Sequence, residues 1–445
     1  MERLRRKIDD FLIEWKQSKD KLPLIIKGAG QIGKTDSIEN FAKNNYKYFV
    51  EINFALQPEY KTIFDNGFDV DVIISNISMI NPNFIFKPKE TLIFFDELQD
   101  CINCATSLKA FNIDNRFDVI CSGSMMGINY NEIESNSVGN KQDYTMYSMD
   151  FEEFLWAKGY KETQIEELYI CMKECRPLTN TQFDVMMKNF KDYMVLGGMP
   201  AIVSKYIKNK NFSGILSMQE QILKDYEEDI AKYANGFDKA RILNVYRKVA
   251  VFLENENKKF QISKLGEGAR NREYRGITDW LSDAGIINVS YCMEECSLPL
   301  KGNYNPDNYR LYFSDTGLLI ASLDDEAQDD LRKNQNFNTY KGAIYENIVS
   351  DMLVKEGYNL YFYKNTKGTI EMDFFIRDKD SLIPVEVKAN DNSTLSLKKL
   401  IESNNYKDIK YGIKLCNKNI GFNGEFYTFP YFMTFLLKRY IRETK

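Results

Sequence analysis

Histidine is absent from this chain of 445 residues. Ser-His-Asp hydrolysis, Cys-His proteolysis, HExxH zinc sites and histidine-ligated haem are therefore excluded. Proton transfer falls to carboxylates, lysine, tyrosine, cysteine or metal-bound water. A net positive charge is also missing. Lys and Arg number 59 against 64 Asp and Glu, for a net charge of −5 and a pI near 5.4. A nucleic-acid site would have to be a local basic patch. No apolar run approaches the roughly 18 residues of a membrane span, and no apolar core follows the basic N-terminus. The expectation is a cytoplasmic protein with no signal peptide and no membrane partner. Low-complexity linkers and internal repeats are lacking too.

The length suggests about three folded units, and apolar residues at 44% with charged residues at 28% leave little room for extended disorder. Eight cysteines include the close pairs Cys101/Cys104, Cys171/Cys175 and Cys292/Cys296. Without histidine, zinc would need four thiolates brought together across the fold; buried, reduced thiols are the simpler reading.

Residues 1–20 read as an amphipathic helix with Ile8, Phe11, Leu12 and Trp15 on one face. Residues 21–155 follow as apolar runs at Leu22–Ile26, Tyr48–Phe54, Thr91–Phe95, Phe117–Cys121 and Tyr144–Met149, separated by helical patterns. That pattern predicts an α/β fold with a parallel sheet covered on both faces. Residues 156–235 read as a helical lid or linker. Residues 236–300 run helix, basic segment, helix and strand, the order of a winged helix. Residues 301–445 form a second α/β pattern, with a helix at Ala343–Lys355 and strands near 358–363, 369–376 and 382–388.

Gly28-Ala29-Gly30-Gln31-Ile32-Gly33-Lys34-Thr35 has the form GxxxxGK[ST] between an apolar run and a helical pattern through Ile38, Phe41 and Ala42, and Gly28 through Asp36 are the expected nucleotide-binding residues. Its glycines let backbone N–H groups wrap a phosphate, Lys34 reaches the β and γ oxygens, and Thr35 offers a hydroxyl to Mg²⁺. Thr91–Phe95 ends in Asp96-Glu97, the arrangement in which Asp96 holds Mg²⁺ and Glu97 polarises water. An extra strand, Phe117–Cys121, ends in Ser122-Gly123-Ser124. Ser122 could sense the γ-phosphate or simply start a turn. Arg116 is one candidate arginine finger and a solvated arginine is its alternative.

In the last segment Asp373, Glu386 and Lys388 fit D-x12-E-x-K, with Glu346 on the preceding helix. A hairpin turning at Asp378–Ser381 would set Asp373 against Glu386 and Glu371 against Lys388, and strand period puts Glu386 and Lys388 on one face. Opposed carboxylates call for a cation between them. A divalent ion held by Asp373 and Glu386, with Glu346 and Lys388 beside it, would assist phosphodiester hydrolysis. An edge hairpin with a Glu371–Lys388 ion pair is the alternative. Lys258–Arg275 carries six positive and two negative residues, Lys258, Lys259, Lys264, Arg270, Arg272 and Arg275 among them. It suits DNA phosphates, although a solvated face or arginines reaching an ATP site fit as well. Gly198-Met199-Pro200 reads as a helix terminator or the lining of an adenine pocket.

Together Gly28–Thr35, Asp96-Glu97-Leu98-Gln99, Ser122-Gly123-Ser124, Met149–Leu155, Gly197–Pro200 and the Glu346/Asp373/Glu386/Lys388 set resemble the prokaryotic AAA-type, STAND-like P-loop ATPases that carry a C-terminal domain of unknown function with a PD-(D/E)xK restriction-endonuclease-like core. The resemblance implies a three-layer AAA/ASCE-type domain, a winged-helix middle and a nuclease-like end. ATP and Mg²⁺ are the implied cofactors and DNA the implied partner, with a homo-oligomer left open. One departure is Gly139-Asn140-Lys141, where relatives often carry Gly-Arg; Lys141 would substitute.

Overall fold

The computed structural model describes residues 3–126, 138–234, 239–254, 271–323, 326–333, 341–365, 368–388 and 394–444. The chain divides into two compact units, Met1–Ser148 with Asp283–Gly285, and Met149–Ser282 with Ile286–Lys445.

In the first unit, β1 (Leu24–Gly28), β2 (Tyr48–Asn53), β3 (Thr91–Asp96), β4 (Asp118–Ser124) and β5 (Gln142–Thr145) form one parallel sheet in the order β2-β3-β4-β1-β5. The expected extra strand is β4, between β1 and β3. Every residue of β3 is buried, as a central strand covered on both faces requires. Among the described residues, helices α1 (Lys7–Gln17), α2 (Lys34–Asn45), α3 (Val70–Ile80) and α4 (Ile102–Asp114) accompany the sheet. Ile8, Leu12 and Trp15 bury the apolar stripe of α1, while Phe11 meets Tyr144 at a ring distance of 4.3 Å. The last strand differs from expectation. β5 is an edge strand that stops at Thr145, and Met149 belongs to the second unit. Burial pushes the Cys101 thiol up to about 11 and raises Cys104 as well, so both stay protonated at neutral pH.

The second unit begins with helices α5 (Phe151–Ala157), α6 (Glu162–Lys173), α7 (Asn180–Leu196), α8 (Pro200–Asn209), α9 (Ile215–Tyr233), α10 (Lys239–Glu254) and α11 (Asn271–Asp283). Strands β6 (Ile287–Met293) and β7 (Tyr304–Phe313) pair antiparallel across residue 300. After them come α12 (Thr316–Ala321), α13 (Ala327–Lys333) and α14 (Lys341–Lys355). The chain ends with β8 (Leu360–Lys364), β9 (Glu371–Met372), β10 (Phe374–Arg377), β11 (Leu382–Lys388), α15 (Leu395–Glu402), β12 (Gly412–Cys416), β13 (Gly421–Phe422), β14 (Phe426–Pro430) and α16 (Leu437–Thr444). Two sheets result, β7-β6-β8-β9 and β10-β11-β12-β14-β13.

Helix α14 is buried from Ala343 to Leu353, so its polar residues need partners inside the fold. Asn347 closes the end of β7 by accepting from Phe313 N–H at 2.8 Å and donating to Thr316 Oγ1 at 3.0 Å. Asp351 and Lys355 pair at 2.9 Å, and Lys355 Nζ also donates to Tyr193 Oη and the Met149 carbonyl, both at 3.2 Å. Burial raises Asp351 to about 7 despite the adjacent Lys355.

The Gly197-Gly198-Met199-Pro200 break joins this network. Gly198 N–H donates to Asp315 Oδ2 at 2.7 Å, its carbonyl accepts from Met149 N–H at 2.7 Å, and Pro200 opens α8. Asp315 also accepts from Leu318 N–H at the start of α12. The segment is a helix junction tied by backbone hydrogen bonds. Asp315→Ala strands two buried N–H groups and should cost about 2–4 kcal/mol, read as a lower denaturation midpoint.

Candidate functional site

The first-unit site is built where β1 turns into α2. Gly33, at φ +90°, is the residue before the helix and needs glycine's left-handed freedom. Gly28 permits close passage, since a Cβ there would lie 2.4 Å from the Met146 carbonyl oxygen. Ala29, Gly30, Gln31 and Ile32 complete the turn, with Gln31 at φ +63°. Lys34 Nζ lies folded over this loop, donating to the Gly28 and Ala29 carbonyls at 3.1 and 2.8 Å. Thr35, in the first turn of α2, directs Oγ1 to Asp96 Oδ2 at 3.3 Å.

Asp96 gathers further donors. Asn53 is its register partner at the end of β2, and Asn53 Nδ2 donates at 3.0 Å. Ser122 Oγ donates to the other carboxylate oxygen, so this hydroxyl is spent on Asp96. Glu97 follows at φ +58°, a left-handed conformation costing roughly 1–2 kcal/mol in a side-chain-bearing residue. Burial raises the Glu97 carboxyl above its ordinary value, while the hydrogen bond from Gln99 Nε2 pulls the other way. Gln99 Oε1 in turn accepts from Ser124 N–H at 3.1 Å.

The residues N-terminal to α1 brace the same loop. Arg6 is buried, with Nη1 donating to the Ile32 carbonyl and Nη2 to the Tyr147 carbonyl, both at 2.7 Å. Bonds from a charged donor of this kind contribute about 1.5–3 kcal/mol each. Arg3 pairs with Asp36 at 2.6 Å and reaches Ser37, turning Asp36 toward the N-terminal segment. The Arg116 guanidinium pairs with Asp114 and Asp71 at 2.7 and 2.6 Å, as the solvated-arginine alternative has it. Lys141 pairs with Asp143 at 2.8 Å.

The second unit holds the other candidate set. The β10–β11 register, Phe374 against Val385 and Arg377 against Leu382, is the one that the hairpin arithmetic expects. The expected long hairpin nevertheless breaks at Asp373. Glu371 and Met372 pair with β8 instead, and Asp373 is the single residue between two sheets. Its Oδ2 accepts from Val387 N–H at 2.9 Å. Glu371 therefore never faces Lys388; it pairs with Lys364 at 3.0 Å and with Arg310. Lys388 Nζ lies 3.0 Å from Glu386, on the shared face expected of positions two apart. Burial raises the Glu386 carboxyl, countered by Lys388, and its Oε2 is buried without a hydrogen-bond partner.

The cation among these acids is a side chain. Arg310, on β7, is 1% exposed, and its Nη1 lies 3.8 Å from both Glu346 Oε2 and Asp373 Oδ1. Its guanidinium also sits 4.2 Å from the centroid of the Phe362 ring. Among the described residues no group of three or more Asp, Glu or Cys could hold a metal ion. The divalent ion expected on Asp373 and Glu386, with Glu346 beside it, would therefore share the acids Asp373 and Glu346 with Arg310.

Of the basic segment, Lys258, Lys259, Lys264 and Arg270 lie outside the described residues, and Arg272 and Arg275 fall in α11. Sequence reasoning missed Asn53, Arg6 and Arg310, and named Gln99 only as part of the Asp96–Gln99 motif. A lone arginine inside the apolar run Tyr309–Phe313 was the legible signal for Arg310. Asn53, like Asp96, ends a strand, but only the strand register shows that the two meet.

Residues 20–155 match the family described as an AAA domain, which supports ATP binding and hydrolysis by this part of the chain. Residues 187–329 and 341–432 match two families described as domains of unknown function, DUF8612 and DUF4143. Among solved structures, a Walker-type ATPase of Pyrococcus abyssi is similar at 12% identity over 72% of this chain and 95% of that one, with a TM-score of 0.43. AMPPCP-bound DnaA from Aquifex aeolicus is similar at 14% identity over 61% and 85%, with a TM-score of 0.28. The ORC1 protein of Aeropyrum pernix, in complex with DNA, is similar at 11% identity over 75% and 91%, with a TM-score of 0.25. No curated protein matches the chain. No helix among the described residues is long and apolar enough to cross a membrane.

Asn53→Leu removes a donor that orients Asp96 and adds no charge. Nucleotide binding without Mg²⁺ should survive, while Mg²⁺-dependent binding weakens by about tenfold or more, as read by paired titrations with and without the ion.

Proposed function

We propose that the chain is a Mg²⁺-dependent ATP hydrolase whose nucleotide state controls a DNA-binding C-terminal half. The hydrolytic part is carried by one observation: Thr35, Asn53 and Ser122 all converge on Asp96, one residue before Glu97. Backbone N–H groups of Gly30 to Gly33 at the start of α2 bind phosphate oxygens. Lys34 exchanges its loop carbonyls for those oxygens. Thr35 and Asp96 supply the hydroxyl and carboxylate that suit Mg²⁺, which neutralises charge on the β and γ oxygens when bound. Glu97 takes the proton of the attacking water, and its raised carboxyl pKa makes it a stronger base than a free glutamate. Ser122 acts through Asp96 as a positioning residue.

Lys34→Ala should lose ATP binding. Glu97→Gln should keep binding and lose turnover by about 10²–10⁴-fold. Retention of wild-type affinity by Lys34→Ala would sink the nucleotide-site assignment.

The pH dependence carries a sign. Gln99 holds the Glu97 pKa down, so Gln99→Leu raises it further. The acidic limb of the turnover profile, where Glu97 is protonated and inactive, should move to higher pH in this variant. An unmoved limb argues against Glu97 as the base.

DNA binding rests on the composition of Lys258–Arg275. For the nuclease-like C-terminal core, the buried Arg310 favours a non-catalytic binding scaffold over a cleaving one.

A further inference from the structure

Each carboxylate of the C-terminal centre has a cation of this chain beside it. Lys388 lies against Glu386, and Lys364 against Glu371. Arg310 binds Glu371 and stands 3.8 Å from both Glu346 and Asp373. Lys414 faces Glu386 across the parallel β11–β12 pair. The remaining oxygen of Asp373 accepts from Val387 N–H.

We infer that Arg310 is the resident cation of this centre, holding the place among Glu346, Glu371 and Asp373 that a divalent ion would take. The C-terminal unit then assembles its carboxylate cluster without metal and does not activate water for phosphodiester cleavage. The inference rests on the nuclease-like reading of the Asp373/Glu386/Lys388 hairpin.

Three properties of the guanidinium support it. It keeps its proton at any working pH, so it is a fixed charge. It is planar and more weakly hydrated than an ammonium, which suits a site buried against the Phe362 ring. It is also enclosed. An incoming divalent ion would have to push a buried charge away from its partners or sit beside it against strong repulsion. Arginine offers no open coordination position, so a water held there gains none of the acidity that a metal confers.

The test is Mn²⁺ binding to the full chain, free of nucleotide and phosphate, with free Mn²⁺ read by electron paramagnetic resonance. Wild type and Asp373→Asn should titrate alike. Arg310→Met should gain one bound Mn²⁺, lost again when Asp373→Asn is added. Wild type binding Mn²⁺ in a way that Asp373→Asn abolishes overturns the inference and leaves the nuclease-like reading standing. A folded Arg310→Met chain that gains no ion overturns both, because the acids then form no cation position. Should Arg310→Met fail to fold, the comparison of wild type with Asp373→Asn decides alone.

Discussion

The Asp96 carboxylate ties together four elements of the first unit. It ends β3, receives Thr35 from α2 and Asn53 from β2, and takes Ser122 from β4. The distance between the phosphate loop and the acidic strand end thus depends on short polar bonds as well as on apolar packing. The parallel register sets their order, because Asn53 meets Asp96 only when Tyr48 lies against Thr91. A one-residue slip would turn the Asn53 side chain to the other face. Glu97 is held in a left-handed conformation immediately afterwards, with Gln99 fastening its carboxylate. The chemistry assigned to the loop therefore presupposes this one convergence.

The two units hold their cations differently. In the first, Lys34 is satisfied by loop carbonyls, weak partners that an anion can replace. In the second, Arg310 is hydrogen-bonded to Glu371, stands 3.8 Å from Glu346 and Asp373, and is shielded by an aromatic ring. Removing one member of such a buried set leaves the rest uncompensated, which costs far more than the pair contributes when intact. The absence of histidine is consistent with both designs, since neither asks for a neutral ligand or a shuttle near pH 7.

Much of the first unit was legible in the sequence because its signals are local. Glycine spacing, a lysine and a hydroxyl at fixed offsets, and an apolar run ending in two acids are all read within a few residues of one another. The hairpin register around β10 and β11 was legible for the same reason, as the turn at Asp378–Ser381 sets it. What remained hidden is non-local. Asp373 leaves the hairpin because β9 finds β8, and no short-range pattern announces a strand changing sheets. Arg310 is 36 residues before Glu346 and 63 before Asp373, so their meeting depends on how β7 and α14 pack. The pairing of Arg6 with Ile32 and Tyr147 is likewise a product of tertiary structure.

The buried Asp351 has a consequence for proton accounting. A chain without imidazoles has little buffering capacity around neutrality, yet burial pushes this carboxyl up to about 7, from the roughly 3.9 of a free aspartate. Between those two values the folded chain holds a proton that the unfolded chain has released. Stability therefore gains as pH falls through that window, and the contribution is gone above about 7. Lys355 keeps two neutral partners, Tyr193 and the Met149 carbonyl, when the carboxyl takes up its proton. Unfolding near pH 6 should thus release a proton from this site, and the apparent calorimetric enthalpy would vary with the ionisation heat of the buffer.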